Sequence, residues 1–470
     1  METNHHANLD AIFRPESVAF IGASNQTGKW GNHVLKRALN SGYRGRIFPI
    51  NPRENRVLGL KAFPDVLDVP AEVDLAVFTV PAAHVPGIME RCVRKGVKGG
   101  VVITAGFSET GPEGRALEEQ AVRAARNGGL RFVGPNGMGI WSSAVSLNLS
   151  LDPVPSPGSL AFVSQSGTFG GSLAQIAGLK GYGLSKFISI GNQADLAGAD
   201  YLTYLAQDHD TRVIALYMEG FKDGRRFFET AREVVKVKPI LIYKGGKSAQ
   251  GARATLSHTA SIAGTDEVFD AMCRQAGIIR VNEVEHLFVA AEALVGQPLP
   301  RGNRVVVLGS GGQGVVTVDA CASHGLEIPE LDAEAKLKIK AFLPPHAPTP
   351  SNPVDFAAGG RTAVDEARLI ESLAQLDYVD GIITNAPVTV FQSLSVAEQG
   401  RLGIEGAELL ASIPKKYGKP VITVKFRGLK GDEIITEILK SAGVPIFQTP
   451  EDCARAMAAL VRYARIRDRV

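Results

Sequence analysis

A histidine set among small and hydroxylic residues is the side chain in this sequence that best suits phosphate chemistry. His258 lies in Ser257-His-Thr-Ala-Ser-Ile-Ala-Gly264, part of a long segment with few large apolar residues between a predicted strand and a predicted helix. A neutral imidazole is a nucleophile near pH 7, and long loops in compact domains often carry function. A lone histidine is more commonly a surface or structural residue, so this hypothesis needs support from elsewhere in the chain.

A carboxylate could assist that imidazole by fixing its tautomer and stabilising the cation that forms. Glu219, in Tyr217-Met-Glu-Gly220, follows a predicted strand at the same edge of the same sheet as the histidine loop. An exposed loop acid remains the alternative interpretation of Glu219.

The first glycine-rich loop, Gly22-Ala-Ser-Asn-Gln-Thr-Gly-Lys-Trp-Gly31, follows the first predicted strand and leads into a helix. Such a turn presents backbone N–H groups at a helix N-terminus, where a pyrophosphate is favoured. Its candidate binding residues are Gly22, Ala23, Ser24 and Gly28. An ordinary tight turn is the alternative.

The second predicted strand ends in Asn51-Pro52-Arg53, where an NAD site would carry an acidic residue for the ribose hydroxyls. Arg53 could instead pair with a phosphate, which suits a nucleotide with a phosphorylated ribose. NADP and coenzyme A both fit that description, and a solvated surface charge remains possible. Other strand ends at the same edge, each also explicable as a turn, add the candidates Val80, Pro81, Thr104, Ala105, Gly106 and Asn136.

A second possible phosphate site follows Phe162-Val163-Ser164, where hydroxylic and small residues lead into a helix. Ser166, Gly167 and Thr168 could hold an oxyanion at that helix N-terminus. The hydroxyl groups could equally cap the helix.

Three blocks of alternating strands and helices position these loops, a pattern that predicts βαβ units and parallel sheets. The predicted fold class is α/β, with a Rossmann-like domain over residues 1–150. Flavodoxin-like domains follow over 151–298 and 299–470. Proline-rich segments at 152–158 and 296–302 are predicted to link the blocks.

The overall composition of the chain excludes some classes of protein. Its 470 residues carry a net charge of +3 and no dense basic run, so nucleic acid is not an expected partner. The four scattered cysteines form no zinc-ligand pattern, and we expect no metal site and a reducing, cytoplasmic location. The polar N-terminus and the absence of a long apolar run argue against a signal peptide or a membrane span.

Taken in order, these segments resemble the α subunit of ADP-forming acetyl-CoA synthetase and, more distantly, that of succinyl-CoA synthetase. The matching segments extend over essentially the whole chain. They are Gly22-Ala-Ser with Gly28 and Gly31, Ile50-Asn-Pro, Val80-Pro-Ala, Thr104-Ala-Gly-Phe-Ser-Glu, Gly134-Pro-Asn, Val163-Ser-Gln-Ser-Gly-Thr, Gly191-Asn-Gln-Ala-Asp195, Tyr217-Met-Glu-Gly, Ser257-His-Thr-Ala-Ser-Ile-Ala-Gly264 and Asn352-Pro-Val-Asp355.

The resemblance implies that His258 is phosphorylated, that Glu219 supports it, and that Ser166 to Thr168 hold phosphate during acyl transfer. It also implies that the first domain binds coenzyme A, which favours coenzyme A over NADP. One departure is Gly137, where the family often has cysteine. A thiol therefore has no role there, although a backbone role of the loop survives.

No ATP-grasp unit is recognisable in the sequence, so the resemblance implies a partner β subunit that binds ATP or ADP with Mg²⁺. The expected assembly is a hetero-oligomer such as α2β2, and the other ligands are phosphate and an acyl-CoA or carboxylic acid. The acyl group is selected by side chains from several loops, which leaves short-chain, dicarboxylic and aryl acids open. A non-catalytic CoA-sensing or scaffold subunit and an NADP-dependent oxidoreductase are the alternative functions.

Overall fold

The computed structural model describes residues 2–248, 250–251, 253, 265–357, 362–386, 394–425 and 432–469. The chain forms two compact units, residues 1–282 and 283–470. Both are built from parallel strands alternating with helices, which confirms the predicted α/β class.

Unit 1 contains two sheets and a short hairpin. Its strands are β1 (Ser17–Ile21), β2 (Arg46–Ile50), β3 (Arg56–Val57), β4 (Leu60–Lys61), β5 (Leu75–Phe78), β6 (Gly99–Val102), β7 (Arg131–Val133), β8 (Ile140–Ser142), β9 (Leu147–Asn148), β10 (Pro157–Ser164), β11 (Leu184–Ser189), β12 (Val213–Met218), β13 (Ile240–Lys244) and β14 (Ile279–Val281). Its helices are α1 (Glu2–Phe13), α2 (Trp30–Asn40), α3 (Val85–Lys95), α4 (Pro112–Asn127), α5 (Gly167–Leu179), α6 (Gly198–Gln207), α7 (Gly224–Val234) and α8 (Asp266–Ala276).

The first sheet is parallel, in the order β2-β1-β5-β6-β7. Strands β1 and β5 are buried along their whole length, as expected for short apolar runs at the centre of a parallel sheet. Because parallel strands end at the same edge, the loops after β1, β2, β5, β6 and β7 meet there. This is the edge at which the sequence predicts a nucleotide site.

The second sheet has the order β14-β13-β12-β10-β11-β8-β9, with β10 to β14 parallel. Strand β8 runs antiparallel to β11, and β9 runs antiparallel to β8. The chain thus enters the second sheet at Ile140, within the stretch that the sequence assigns to the first domain. Periodicity did not reveal these two strands because they are only 3 and 2 residues long.

Unit 2 contains one parallel sheet, in the order β16-β15-β17-β18-β19. Its elements are α9 (Glu285–Gly296), β15 (Val305–Gly309), α10 (Gly312–Ser323), α11 (Ala333–Lys340), β16 (Val354–Asp355), α12 (Ala363–Ala374), β17 (Gly381–Asn385), α13 (Val396–Tyr417), β18 (Val421–Val424), α14 (Asp432–Ser441), β19 (Ile446–Phe447) and α15 (Pro450–Asp468). Helix α9 precedes the predicted linker at 296–302, yet Val289 and Ala293 pack into the core of this unit with Met457 of α15. No helix among the described residues is long and apolar enough to span a membrane.

Candidate active site

In the turn between β1 and α2, two parts of the backbone pack so closely together that only glycine fits. Gly22 has a φ of +88°, and a Cβ on Gly31 would lie 2.0 Å from the carbonyl oxygen of Gly22. Lys29, at the N-cap of α2, makes no capping hydrogen bond through its side chain. The first amides of α2 therefore face the loop without a side-chain cap, as a phosphate-binding turn requires.

The turn after β2 is held by Asn51, whose side chain joins it to the glycine-rich loop. Its Nδ2 donates to the carbonyl oxygen of Ala23 over 2.8 Å, and its Oδ1 accepts from the amide of Arg53 over 2.8 Å. The Arg53 side chain is exposed. Glu54, overlooked in the sequence analysis, accepts hydrogen bonds from Asn25 and from Asn51 at 3.3 Å. The carboxylate of Glu54 therefore does lie near the end of β2, but its hydrogen bonds stabilise the turn.

The loop after β7 lies between the two sheets of unit 1. The amide of Asn136, a residue with a φ of +59°, donates to the Thr104 carbonyl over 2.9 Å. A Cβ on Gly137 would lie 2.6 Å from the carbonyl oxygen of Ser189. Glycine in place of the family's cysteine therefore has a structural reason, because the loop approaches β11 too closely at this position to leave room for a side chain.

Helix α5 begins directly after β10, with Ser166 at its N-cap. The Ser166 side chain makes no capping hydrogen bond, so the capping alternative is not what the structure shows for this residue. A Cβ on Gly167 would lie 2.8 Å from Cγ of Met138, which explains why glycine occupies the first helical position. The start of α5 is therefore packed against the loop after β7, and its side-chain cap is absent. An oxyanion is favoured at such a helix end.

These loops line one cleft of about 1360 Å³ inside unit 1. Fifteen of the sequence-predicted residues lie in its wall: Gly22, Ala23, Ser24, Gly28, Asn51, Pro52, Arg53, Val80, Pro81, Thr104, Ala105, Asn136, Ser166, Gly167 and Thr168. The glycine-rich turn and the start of α5 thus belong to the same cavity. Trp30, His84, Met138, Phe169 and Asn192 also line it.

Gly106 is the predicted binding residue of the first domain that does not line the cleft. Its amide donates to Oε1 of Glu109 over 2.6 Å, as does the amide of Phe107 over 3.1 Å. Burial by itself raises the pKa of Glu109, but these bonds and one from Asn192 outweigh it, and the pKa lies below the ordinary value. The Gly106 amide is therefore engaged by an ionised carboxylate within the protein.

Glu219 lies at the end of β12 and is buried, with 5% of its surface exposed. Its backbone amide and that of Gly220 both donate to Oε1 of Gln165, over 2.9 and 3.0 Å. Gln165 also lines the cleft, so one side chain connects the Glu219 turn to the start of α5. Gln165 was not among the predicted site residues. Its position within the Val163-Ser-Gln-Ser-Gly-Thr segment could have identified it.

His258 lies outside the described residues, so its predicted contact with Glu219 stays a prediction. Within the described part of the chain, no group of three or more His, Cys, Asp or Glu side chains is placed to hold a metal ion.

Comparison with known proteins matches each sheet region to a family model. A CoA binding domain matches residues 16–142, a succinyl-CoA ligase like flavodoxin domain matches 157–294, and a Ligase-CoA domain matches 304–414. The first of these models covers the glycine-rich turn and the Asn51 turn, and the second covers Ser166 and Glu219.

Three similar proteins cover nearly all of this chain. The α subunit of ADP-forming acetate–CoA ligase II from Pyrococcus furiosus is 40% identical over 97% of the chain and 98% of its own length. ADP-forming acetate–CoA ligase I from Archaeoglobus fulgidus is 38% identical over 97% of the chain, which spans 64% of that longer protein. The acetyl-coenzyme A synthetase 1 of Ca. Korarchaeum cryptofilum, solved with phosphate and ADP, is 34% identical with a TM-score of 0.88 over 98% of both chains. The resemblance inferred from the sequence is thereby confirmed, and the chain belongs to the family of ADP-forming acetate–CoA ligase α subunits.

Proposed function

We propose that this chain is the CoA-binding, catalytic subunit of a nucleoside-diphosphate-forming acyl-CoA ligase. The reaction is acyl-CoA plus phosphate plus ADP giving carboxylic acid, CoA and ATP, or its reverse. The observation that carries the proposal is the single cleft. It joins a glycine-rich turn suited to a nucleotide pyrophosphate to a second helix N-terminus suited to phosphate.

Coenzyme A fits the composition of that cleft. The turn at Gly22 and Gly31 lets a pyrophosphate approach the backbone, and Arg53 can pair with a 3′-phosphate. The reactive end of the ligand then lies toward the start of α5, where the amides of Gly167 and Thr168 stabilise negative charge. Two anion-binding turns in one cavity suit a thioester substrate together with phosphate better than a nicotinamide cofactor alone.

The proposed chemistry runs in two steps on this chain. A phosphate oxygen attacks the thioester carbonyl carbon, the C–S bond breaks, and CoA leaves as the thiol after protonation. A ring nitrogen of His258 then attacks the phosphorus of the acyl phosphate, the P–O bond to the acyl group breaks, and the carboxylate leaves. Glu219 holds the imidazole in the productive tautomer and stabilises its positive charge.

The phosphoryl group then passes to ADP on a partner, which we propose to be an ATP-grasp β subunit that also binds Mg²⁺. The Pyrococcus relative is named as an α subunit, and the longer Archaeoglobus relative extends beyond the aligned region. A hetero-oligomer such as α2β2 and a cytoplasmic location complete the proposal.

Calorimetric titration of the purified chain with CoA, 3′-dephospho-CoA and NADPH tests the nucleotide assignment. We expect CoA to bind more tightly than dephospho-CoA by about tenfold or more, because a charge-assisted contact to phosphate is lost. Arg53→Met should abolish that difference, whereas Arg44→Met, a control in an exposed position, should preserve it. Binding of NADPH with no binding of CoA would overturn the proposal.

Turnover separates the enzyme from a CoA-sensing or scaffold subunit. The chain mixed with an ATP-grasp β subunit should form ATP from acetyl-CoA, phosphate and ADP, and the Glu219→Gln variant should form it at least a hundredfold more slowly. CoA binding without ATP formation in the complete mixture would favour the sensor.

A further inference from the structure

Gln165 is a residue of the cleft to which neither phosphate-binding turn gives a role. It lies between Ser164, the last residue of β10, and Ser166, the N-cap of α5. It lines the cleft together with residues 166–168, yet only 4% of its surface is exposed. A polar side chain buried to this extent needs hydrogen-bond partners for both ends of its carboxamide group.

The oxygen end of this carboxamide is satisfied by the protein. Oε1 accepts hydrogen bonds from the backbone amides of Glu219 and Gly220, over 2.9 and 3.0 Å. The backbone of Gln165 is fixed to the same strand, because its amide donates to the carbonyl oxygen of Tyr217 over 2.9 Å. Two N–H donors can face only the oxygen of a carboxamide, so the orientation of the group is unambiguous.

The nitrogen end of the carboxamide is not satisfied in this way. Among the described residues, Nε2 of Gln165 has no hydrogen-bond partner, and the atom is accessible rather than enclosed. Because the carboxamide is planar and its oxygen faces the end of β12, Nε2 points away from that strand. The cleft is the cavity that Gln165 lines, so the two N–H donors of Nε2 face into it.

A donor held in this manner suits a negative charge that develops during a reaction. The carboxamide is neutral, so its attraction to an oxygen is largest when that oxygen becomes an anion. Its orientation is set in advance by the bonds to Oε1, so no reorganisation is needed when the charge appears. Side-chain amides fixed in this way are typical donors of oxyanion holes.

We propose that Nε2 of Gln165 donates to the carbonyl oxygen of the thioester while phosphate attacks it. The inference rests on the proposed function and assigns the oxyanion donor of its first step. An oxygen of hydrogen phosphate bonds to the carbonyl carbon, and the π electrons of the C=O bond move onto the carbonyl oxygen, which Gln165 stabilises. When this tetrahedral intermediate collapses, the C–S bond breaks, and the proton of the hydrogen phosphate passes to the departing sulfur.

Gln165 and the start of α5 then stabilise two different oxygens. The helix amides hold phosphate, which is an anion before the reaction begins. Gln165 meets the carbonyl oxygen, which becomes an anion only as the new bond forms. Its loss should therefore slow the chemical step and leave the binding of phosphate nearly unchanged.

Infrared spectroscopy of acetyl-CoA carrying a ¹³C label at the carbonyl tests the contact directly. The full chain is saturated with acetyl-CoA in the absence of phosphate, so that the thioester stays intact. A hydrogen bond weakens the C=O bond, and we expect the carbonyl band at a lower wavenumber in the unaltered chain than in Gln165→Glu or Gln165→Met. The glutamate variant is the closest match, because its carboxylate, ionised at about pH 8, still accepts from both backbone amides but offers no N–H donor.

Turnover with an ATP-grasp β subunit separates stabilisation of the oxyanion from binding of phosphate. In ATP formation from acetyl-CoA, phosphate and ADP, Gln165→Met should lower kcat roughly a hundredfold to a thousandfold, the usual loss for one oxyanion donor. The KM for phosphate should stay close to that of the unaltered chain. Gln297→Met is the matched control, since this glutamine of unit 2 is also buried and its side chain also bonds backbone groups. The control should lower the unfolding midpoint without lowering kcat.

The outcomes distinguish failure of this inference from failure of the proposed function. A carbonyl band at one position in all three chains, or a folded Gln165→Met chain with full kcat, overturns the inference alone. A raised KM for phosphate with full kcat would assign the donor to phosphate and overturn it as well. If Gln165→Met does not fold, the carbonyl band of Gln165→Glu decides. No ATP formation by the unaltered chain with its partner counts against the proposed function.

Discussion

Asn192 donates from Nδ2 to Oε2 of Glu109 over 2.6 Å and so joins the loop after β11 to the loop after β6. The same amide group lies 2.9 Å from Oε2 of Glu118 and 3.2 Å from the Ser108 hydroxyl. Its Oδ1 accepts from Nδ2 of Asn136 over 3.2 Å. One neutral amide therefore holds two carboxylates together at the wall of the cleft.

Replacing that amide by a carboxylate should be more damaging than removing it. Asn192→Ala leaves partly buried acceptors without their donor, which costs about 1–3 kcal/mol in the free energy of unfolding. Asn192→Asp keeps the shape but sets a third negative charge against Glu109 and Glu118, and should cost more than the alanine variant. Denaturant unfolding of both variants measures the order, and an aspartate variant as stable as the unaltered chain would contradict it.

Acid should weaken this network through Glu109. Its pKa in the folded chain lies below the ordinary 4.5 because of its hydrogen bonds, so the unfolded chain takes up this proton first as the pH falls. The stabilisation is complete above about pH 4.5 and disappears as the pH falls through the folded value. Between pH 3 and 7, the free energy of unfolding of Glu109→Gln should fall less steeply with acidification than that of the unaltered chain. Identical slopes for the two chains would rule out this contribution of Glu109.

Gly137 should not tolerate a side chain. Gly137→Ala places a Cβ 2.6 Å from the Ser189 carbonyl oxygen, and the resulting shift of the cleft wall should cost about 1–3 kcal/mol and weaken CoA binding. Gly171→Ala is the matched control, since a Cβ there meets nothing within 4 Å and alanine is the better helix former. Unfolding and CoA titration of the two variants provide the comparison. Equal effects would show that the close approach to β11 does not matter.

The two tryptophans give the chain a built-in reporter of ligand binding. Trp30 lines the cleft with 46% of its surface exposed, whereas Trp141 is 2% exposed in the second sheet. CoA should change the emission of Trp30 and protect it from iodide quenching. Trp30→Phe should abolish the change while calorimetry still detects binding. A signal that survives in Trp30→Phe would place the ligand elsewhere.

The elements of this fold were largely predictable because buried parallel strands are short, apolar and regularly followed by turns. The second predicted strand, for example, is β2, which ends at Ile50, directly before Asn51-Pro52-Arg53. Strands β8 and β9 escaped prediction because two or three residues show no periodicity. The sequence also could not show that α9 belongs to unit 2, because the helix it packs against, α15, is more than 150 residues away in the sequence.

The candidate site was predictable where backbone geometry forces the residue type. The glycines of the first turn and the small residues at the start of α5 line the cleft, and their binding of a ligand stays a prediction. A side chain that acts through a distant partner was harder to identify: Gln165 accepts a hydrogen bond from the amide of Glu219, 54 residues away in the sequence. Gly106 was predicted to bind ligand because it lies at a strand end, but its amide bonds Glu109 instead. The roles of His258 and Glu219 stay predictions.

Phosphorylation of His258 tests the central claim most directly. The purified chain would be incubated with labelled phosphate and acetyl-CoA beside His258→Ala and the control His209→Ala, an exposed histidine. Acid-labile label, located by peptide mass, should appear on the unaltered chain and on His209→Ala but not on His258→Ala. Equal label on His258→Ala, or none on any form when the ATP-grasp subunit is present and CoA is bound, would contradict the account.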